Sequence, residues 1–256
     1  MLHHIRSMTE FAVHKYKEMS WKDTIAVVGF PSIGLVSSIA ASFLARSLEL
    51  DVIGGISSPE FPPYAVVQNG IPYPPVRIYG GDRMCGGDRG VDCDGLVVIT
   101  SEFLPKMEQH HSLAISLLDW LDENCVGTVI CLDGIPQFDS DSSRILGVAS
   151  TPAANDVMKK YSVEGFDDGL VRGLTGVMLS EGAMRGMDVL AILGTARADM
   201  PDPRGAAKLM EPLTRMIPEL KIDTEPLYKE AEEIERRIGS NASMGNAPGN
   251  KDFLYG

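Results

Sequence analysis

The sequence predicts an α/β domain built on a mostly parallel sheet flanked by helices. Three continuous apolar runs carry this expectation: TIAVVG at 24–29, LVVIT at 96–100 and TVICL at 128–132. Each has the length and apolar content of a strand buried on both faces. The first two are followed by stretches with helical spacing, and the second stretch leads directly into the third run. Strand, helix and strand joined by short loops call for crossover connections and a sheet covered on both sides.

The elements follow in chain order. Residues 1–23 read as a lead-in, whose first ten residues carry histidines and charge but no apolar segment before a small-residue cleavage site, so export is not expected. The core domain is expected over 24–238, opening with the strand at 24–29 and a helix over 33–50. Between 53 and 79, prolines at 59, 62, 63, 72, 74 and 75 break any helix, so edge strands or a hairpin turning at Asn69-Gly70 are expected. Residues 80–95, with their glycine pairs and aspartates, read as an exposed loop. The strand at 96–100 precedes an amphipathic helix over 106–123 and the strand at 128–132. A glycine-rich helical stretch at 170–186 leads into a further buried strand, VLAIL at 189–193. Helices at 204–217, stopped by Pro218, and at 225–238, with Leu227, Ile234 and Ile238 on one face, complete the core. From Gly239 to Gly256 the chain is small and polar, with little apolar surface to offset the entropy of ordering, and is expected to be a flexible tail.

Composition narrows the function. The 256 residues are 44% hydrophobic and 23% charged, enough for one large core. The formal charge of -12 is spread along the chain, which argues against nucleic acid, whose phosphates need clustered Lys and Arg. The apolar stretch 25–44 is interrupted by Gly29, Pro31 and Gly34, so no membrane span is expected. Cys85, Cys93, Cys125 and Cys131 form no Cys-x-x-Cys pair and fit reduced thiols in a cytoplasm.

Several residues qualify as site candidates. Gly29, Pro31, Ser32 and Gly34 lie in a strand-to-helix loop read first as a tight turn with Ser32 capping the helix; the alternative is that its N–H groups face an anion or small ligand. Leu35-Val36 stand where a Walker A loop needs Lys-Ser or Lys-Thr. Glu102 and Asp133 follow strands at their C-terminal ends, where α/β enzymes place functional groups. His110 and His111 point about a hundred degrees apart on a helix and are read as solvated surface. Cys85 and Cys93 sit among aspartates at a spacing that matches no standard zinc site. No metal, no cofactor and no catalytic set is expected.

The chain closes on Phe253-Leu254-Tyr255-Gly256, an apolar, aromatic end to a polar tail. Leu254, Tyr255 and Gly256 resemble the hydrophobic-Tyr-any (HbYX) motif that proteasome activators and assembly factors insert between neighbouring α-subunits. Residues 25–34 (IAVVGFPSIG), 58–63 (SPEFPP) and 193–196 (LGTA) resemble the archaeal proteasome assembly chaperone family, a likeness that runs over most of 24–238. The resemblance implies a fold similar to purine nucleoside phosphorylases, a homo-oligomer, and proteasome α-subunits or the core particle as partner. It implies that the terminal carboxylate pairs with a lysine while Leu254 and Tyr255 pack along the pocket. Tethered by about eighteen residues, the anchor has a root-mean-square reach of roughly 20–25 Å. Members of the family are also labelled ATP-grasp or carboxylate-amine ligase enzymes, and no complete motif in this chain supports that chemistry. The alternative is a nucleoside- or phosphate-binding enzyme of phosphorylase-like fold, with residues 29–34 holding phosphate and Glu102 or Asp133 nearby.

Overall fold

A computed structural model describes residues 11–18, 22–81, 94–136, 144–217 and 222–243. Strands β1 (Ala12–Lys15) and β2 (Lys22–Gly29) are followed by a 3-10 turn (Ile33–Leu35) and helix α1 (Val36–Ser47). Next come β3 (Asp51–Ser57), the hairpin β4 (Val66–Gln68) and β5 (Ile71–Tyr73), β6 (Val76–Gly81) and β7 (Asp94–Ser101). Helix α2 (His110–Glu123) leads to β8 (Val126–Pro136), β9 (Ile145–Ala149), α3 (Pro152–Lys160) and β10 (Glu164–Gly165). The chain continues through α4 (Gly173–Arg185), β11 (Asp188–Ala196), α5 (Pro203–Met216) and α6 (Glu225–Ser243). Among these residues no helix is long and apolar enough to cross a membrane.

Nine strands form one sheet in the order β1-β3-β6-β7-β2-β8-β11-β9-β10. Its centre, β7-β2-β8-β11, is parallel throughout, as the apolar runs predict. The margin β1-β3-β6-β7 and the β11-β9 pair are antiparallel. Parallel neighbours need a long crossover such as α2, whereas antiparallel neighbours need only a short return.

Strand alternation divides the core into two layers. On one face Val27, Val98, Ile130 and Ile192 pack under α1, α3, α5 and α6; on the other Val28, Val97, Cys131 and Leu193 pack under α2 and α4. Each such Val, Leu or Ile side chain contributes roughly 1.5–3 kcal/mol on burial, and coverage on both faces explains why the central strands read as continuous apolar runs.

The structure differs from the sequence expectations at several elements, among them β9, α3 and β10, which no expectation covered. Residues 11–15 of the expected lead-in join the core, because β1 pairs with β3 and Phe11 is buried against Phe61, their ring centroids 5.4 Å apart. That pairing also places β3 inside the sheet rather than on its edge. The hairpin does turn at Asn69-Gly70, both with positive φ (50° and 78°), as a two-residue loop between twisted strands requires. Finally, α6 continues to Ser243, beyond the expected end at Ile238.

Candidate functional site

A cavity of about 790 Å³ opens at the carboxyl ends of β2 and β8, beneath the start of α4. Open α/β sheets place ligands in this position, because loops diverge there while the strands hold their bases rigid. Two close approaches shape it. A Cβ on Gly134 would lie 2.5 Å from the Ile33 carbonyl oxygen, so glycine there lets the 31–34 loop settle onto β8. At Gly29 a Cβ would meet the Ser37 carbonyl oxygen at 2.4 Å, so glycine there seats α1 on β2.

Asp133 stands on the cavity wall. Its Oδ1 accepts from the Gly134 N–H at 2.8 Å, and its carboxylate also accepts from the Thr175 hydroxyl in the first turn of α4. Burial pushes its carboxyl above the ordinary range, and the two hydrogen bonds only partly oppose that shift. Cys131, two residues earlier on the same strand face, is buried beside Met178, with the sulfurs 3.8 Å apart. Burial, and then the Asp133 charge, push its thiol far up, so it packs as a small hydrophobe rather than serving as a nucleophile.

His110 also lines the cavity and is 6% exposed, which corrects the expectation of a solvated pair. As the first residue of α2 it turns inward, and its Nε2–H donates to the Pro105 carbonyl at 2.9 Å. A carbonyl oxygen cannot donate, so Nε2 carries the proton and Nδ1 of the neutral ring is an acceptor. That Nδ1 is buried and has no partner among the described residues. His111 points outward, 3.9 Å from Glu181.

The predicted loop is split by the fold. Pro31 and Ser32 line the cavity, whereas Gly29 and Gly34 serve packing; a Cβ on Gly34, whose φ is +62°, would lie 2.6 Å from the Arg197 carbonyl oxygen. Ser32 precedes the 3-10 turn but makes no side-chain cap. Its hydroxyl pairs instead with that of Ser37, which also bonds the Phe30 carbonyl.

Glu102 and Asp133 do not meet in one site. Glu102 leaves β7 to form a two-pronged ion pair with Arg77, whose Nη1 lies 2.8 Å from Oε2 and whose side chain is 2% exposed. Burial opposes the guanidinium charge, but the bonds to Glu102 and to the Tyr79 hydroxyl outweigh it, raising the Arg77 pKa. Cys85, Cys93 and the tail residues Leu254, Tyr255 and Gly256 lie outside the described residues. Thr175 carried no sequence signal, because its role depends on where α4 begins relative to β8.

The family model described as the PAC2 family matches residues 26–241. An uncharacterised protein of Methanocaldococcus jannaschii is 29% identical over 221 residues, 86% of each chain. The crystal structure of Pyrococcus furiosus PbaA, an archaeal homolog of proteasome-assembly chaperone, is 30% identical with a TM-score of 0.74, covering 89% of this chain and 94% of that one. Pyrococcus furiosus PbaB, an archaeal proteasome activator, shares the fold at 22% identity with a TM-score of 0.76, covering 92% of this chain and all of that one. The likeness to archaeal proteasome assembly chaperones that residues 25–34, 58–63 and 193–196 carry thus extends over nearly the whole described domain, and the chain belongs to the PAC2 family.

Proposed function

We propose that this chain is a cytoplasmic proteasome assembly chaperone that binds proteasome α-subunits through Leu254-Tyr255-Gly256. The observation that carries the reading is the 30% identity to Pyrococcus furiosus PbaA over 89% of the chain. The chemistry of the three terminal residues supports it. With Gly256 as the chain end, its carboxylate makes charge-assisted hydrogen bonds to a lysine. Tyr255 supplies a ring to bury and a polar tip. Leu254 contributes roughly 1.5–3 kcal/mol on burial.

Since α6 runs to Ser243, the tether is residues 244–256, which span at most about 45 Å when fully extended. A single tail of this kind binds weakly, and a homo-oligomer presenting several raises avidity without new contacts. Occupying the seams between α-subunits favours the paired state over the separate one.

The enzyme alternative needs Glu102 or Asp133 beside a phosphate held by residues 29–34. Glu102 is committed to Arg77 instead, and an ionised Asp133 on the cavity wall repels phosphate. The deciding experiment measures binding of the full chain, of a chain lacking residues 254–256, and of Tyr255→Ala to the α-subunits of its own organism. Deletion and substitution are each expected to reduce binding at least tenfold. Equal binding by all three proteins overturns the tail reading, and no binding by the intact chain overturns the chaperone reading.

A further inference from the structure

We propose that the cavity at the carboxyl ends of β2 and β8 binds a small planar aromatic molecule carrying N–H donors, seated against Asp133 and His110. The volume of about 790 Å³ falls within the range of small-molecule sites. Most of the wall is apolar, including Phe30, Ile33, Ile135, Phe166, Val171 and Met178. At the cavity, Leu104 and Leu170 remain 52% and 79% exposed, large apolar side chains that an occupant would cover.

The polar groups specify the rest. Asp133 spends acceptor capacity on Gly134 and Thr175, and a carboxylate with about four lone-pair sites retains more. The His110 ring is more than nine-tenths buried, and its Nδ1 is an acceptor with no partner among the described residues. A Cβ built on Gly173, the residue that opens α4 on the cavity wall, would lie 3.8 Å from that nitrogen. Buried polar groups in folded proteins are paired, so an unpaired acceptor beside a cavity calls for a donor. Two acceptors on an apolar wall favour a ring with N–H groups over an anion, since an ionised Asp133 repels negative charge; Arg172 also lines the cavity but is exposed to solvent, which screens its charge. The site is built from residues 28–193 and does not depend on the docking of the tail.

The test uses the full chain and 2-aminobenzimidazole, whose adjacent N–H groups match a carboxylate in a two-pronged bond. Indene, of similar shape without N–H, and inorganic phosphate serve as comparisons, with binding read by calorimetry and by amide chemical-shift changes. One molecule of 2-aminobenzimidazole per chain is expected, at least tenfold tighter than indene, with phosphate failing to displace it. Asp133→Asn and His110→Phe are each expected to weaken it at least tenfold, and deletion of residues 254–256 to leave it unchanged. The probe comparison on the unaltered protein decides the matter even if a variant fails to fold. Equal binding of indene, displacement by phosphate, unchanged affinity in a folded Asp133→Asn protein, or no saturable binding at millimolar probe overturns the proposal.

Discussion

Burial holds the Asp133 proton more tightly in the folded protein than in the unfolded chain. Because the folded pKa lies above the ordinary 3.8, the contribution of this group to stability is fullest below that pH. It falls as pH rises from the unfolded toward the folded value and stays at the lower level above it. Asp133→Asn removes this dependence, so its stability relative to the unaltered protein should become more favourable as pH rises through that window. Urea unfolding of both proteins from pH 4 to 8 measures the difference, and a flat difference counts against the burial of the carboxyl. His110 teaches a related lesson. The sequence shows that adjacent histidines on a helix diverge by about a hundred degrees, but not which one faces inward. Docking of α2 against α4 makes that choice, burying His110 and leaving His111 63% exposed.

At the scale of elements, the packing of α1 on β2 sets the position of the loop that borders the cavity. Gly29 permits that packing, and Gly29→Ala forces a methyl against the Ser37 carbonyl and Ala41 Cβ. A loss of about 1–3 kcal/mol in urea unfolding is expected, as for overpacking elsewhere in close-packed cores; a neutral result would mean that α1 shifts freely. The buried central strands were legible because both of their faces are apolar, so β2, β7, β8 and β11 lie where their runs predict. β1 and β10 escaped because they are short and lie at the sheet margins, where polar residues are tolerated, whereas β9, the apolar run ILGVA, carried a strand signal that the sequence reading did not take up. α3 did carry a signal: Thr151 accepts from the Ala154 N–H at 3.1 Å, and Pro152 sits in the first turn, a start pattern visible in the sequence.

For the whole molecule, the proposed avidity requires more than one copy. The hairpin β4-β5 carries Val67 and Ile71 at 65% and 53% exposure, apolar surface that a second copy would cover. Light scattering should therefore report a mass above the 27.7 kDa of one chain, falling to that value in a Val67→Asp, Ile71→Asp protein. An unchanged mass places the contact elsewhere. By itself the sequence determined the α/β class, the parallel centre of the sheet, the Asn69-Gly70 hairpin and the family, because these depend on local periodicity, turn chemistry and runs of residues close in the chain. Only the tertiary structure decided that Ser32, His110, Asp133 and Thr175 share one cavity while Glu102 pairs with Arg77. Those relations join residues far apart in the chain, and packing of helices on the sheet, rather than any local pattern, determines which side chains meet.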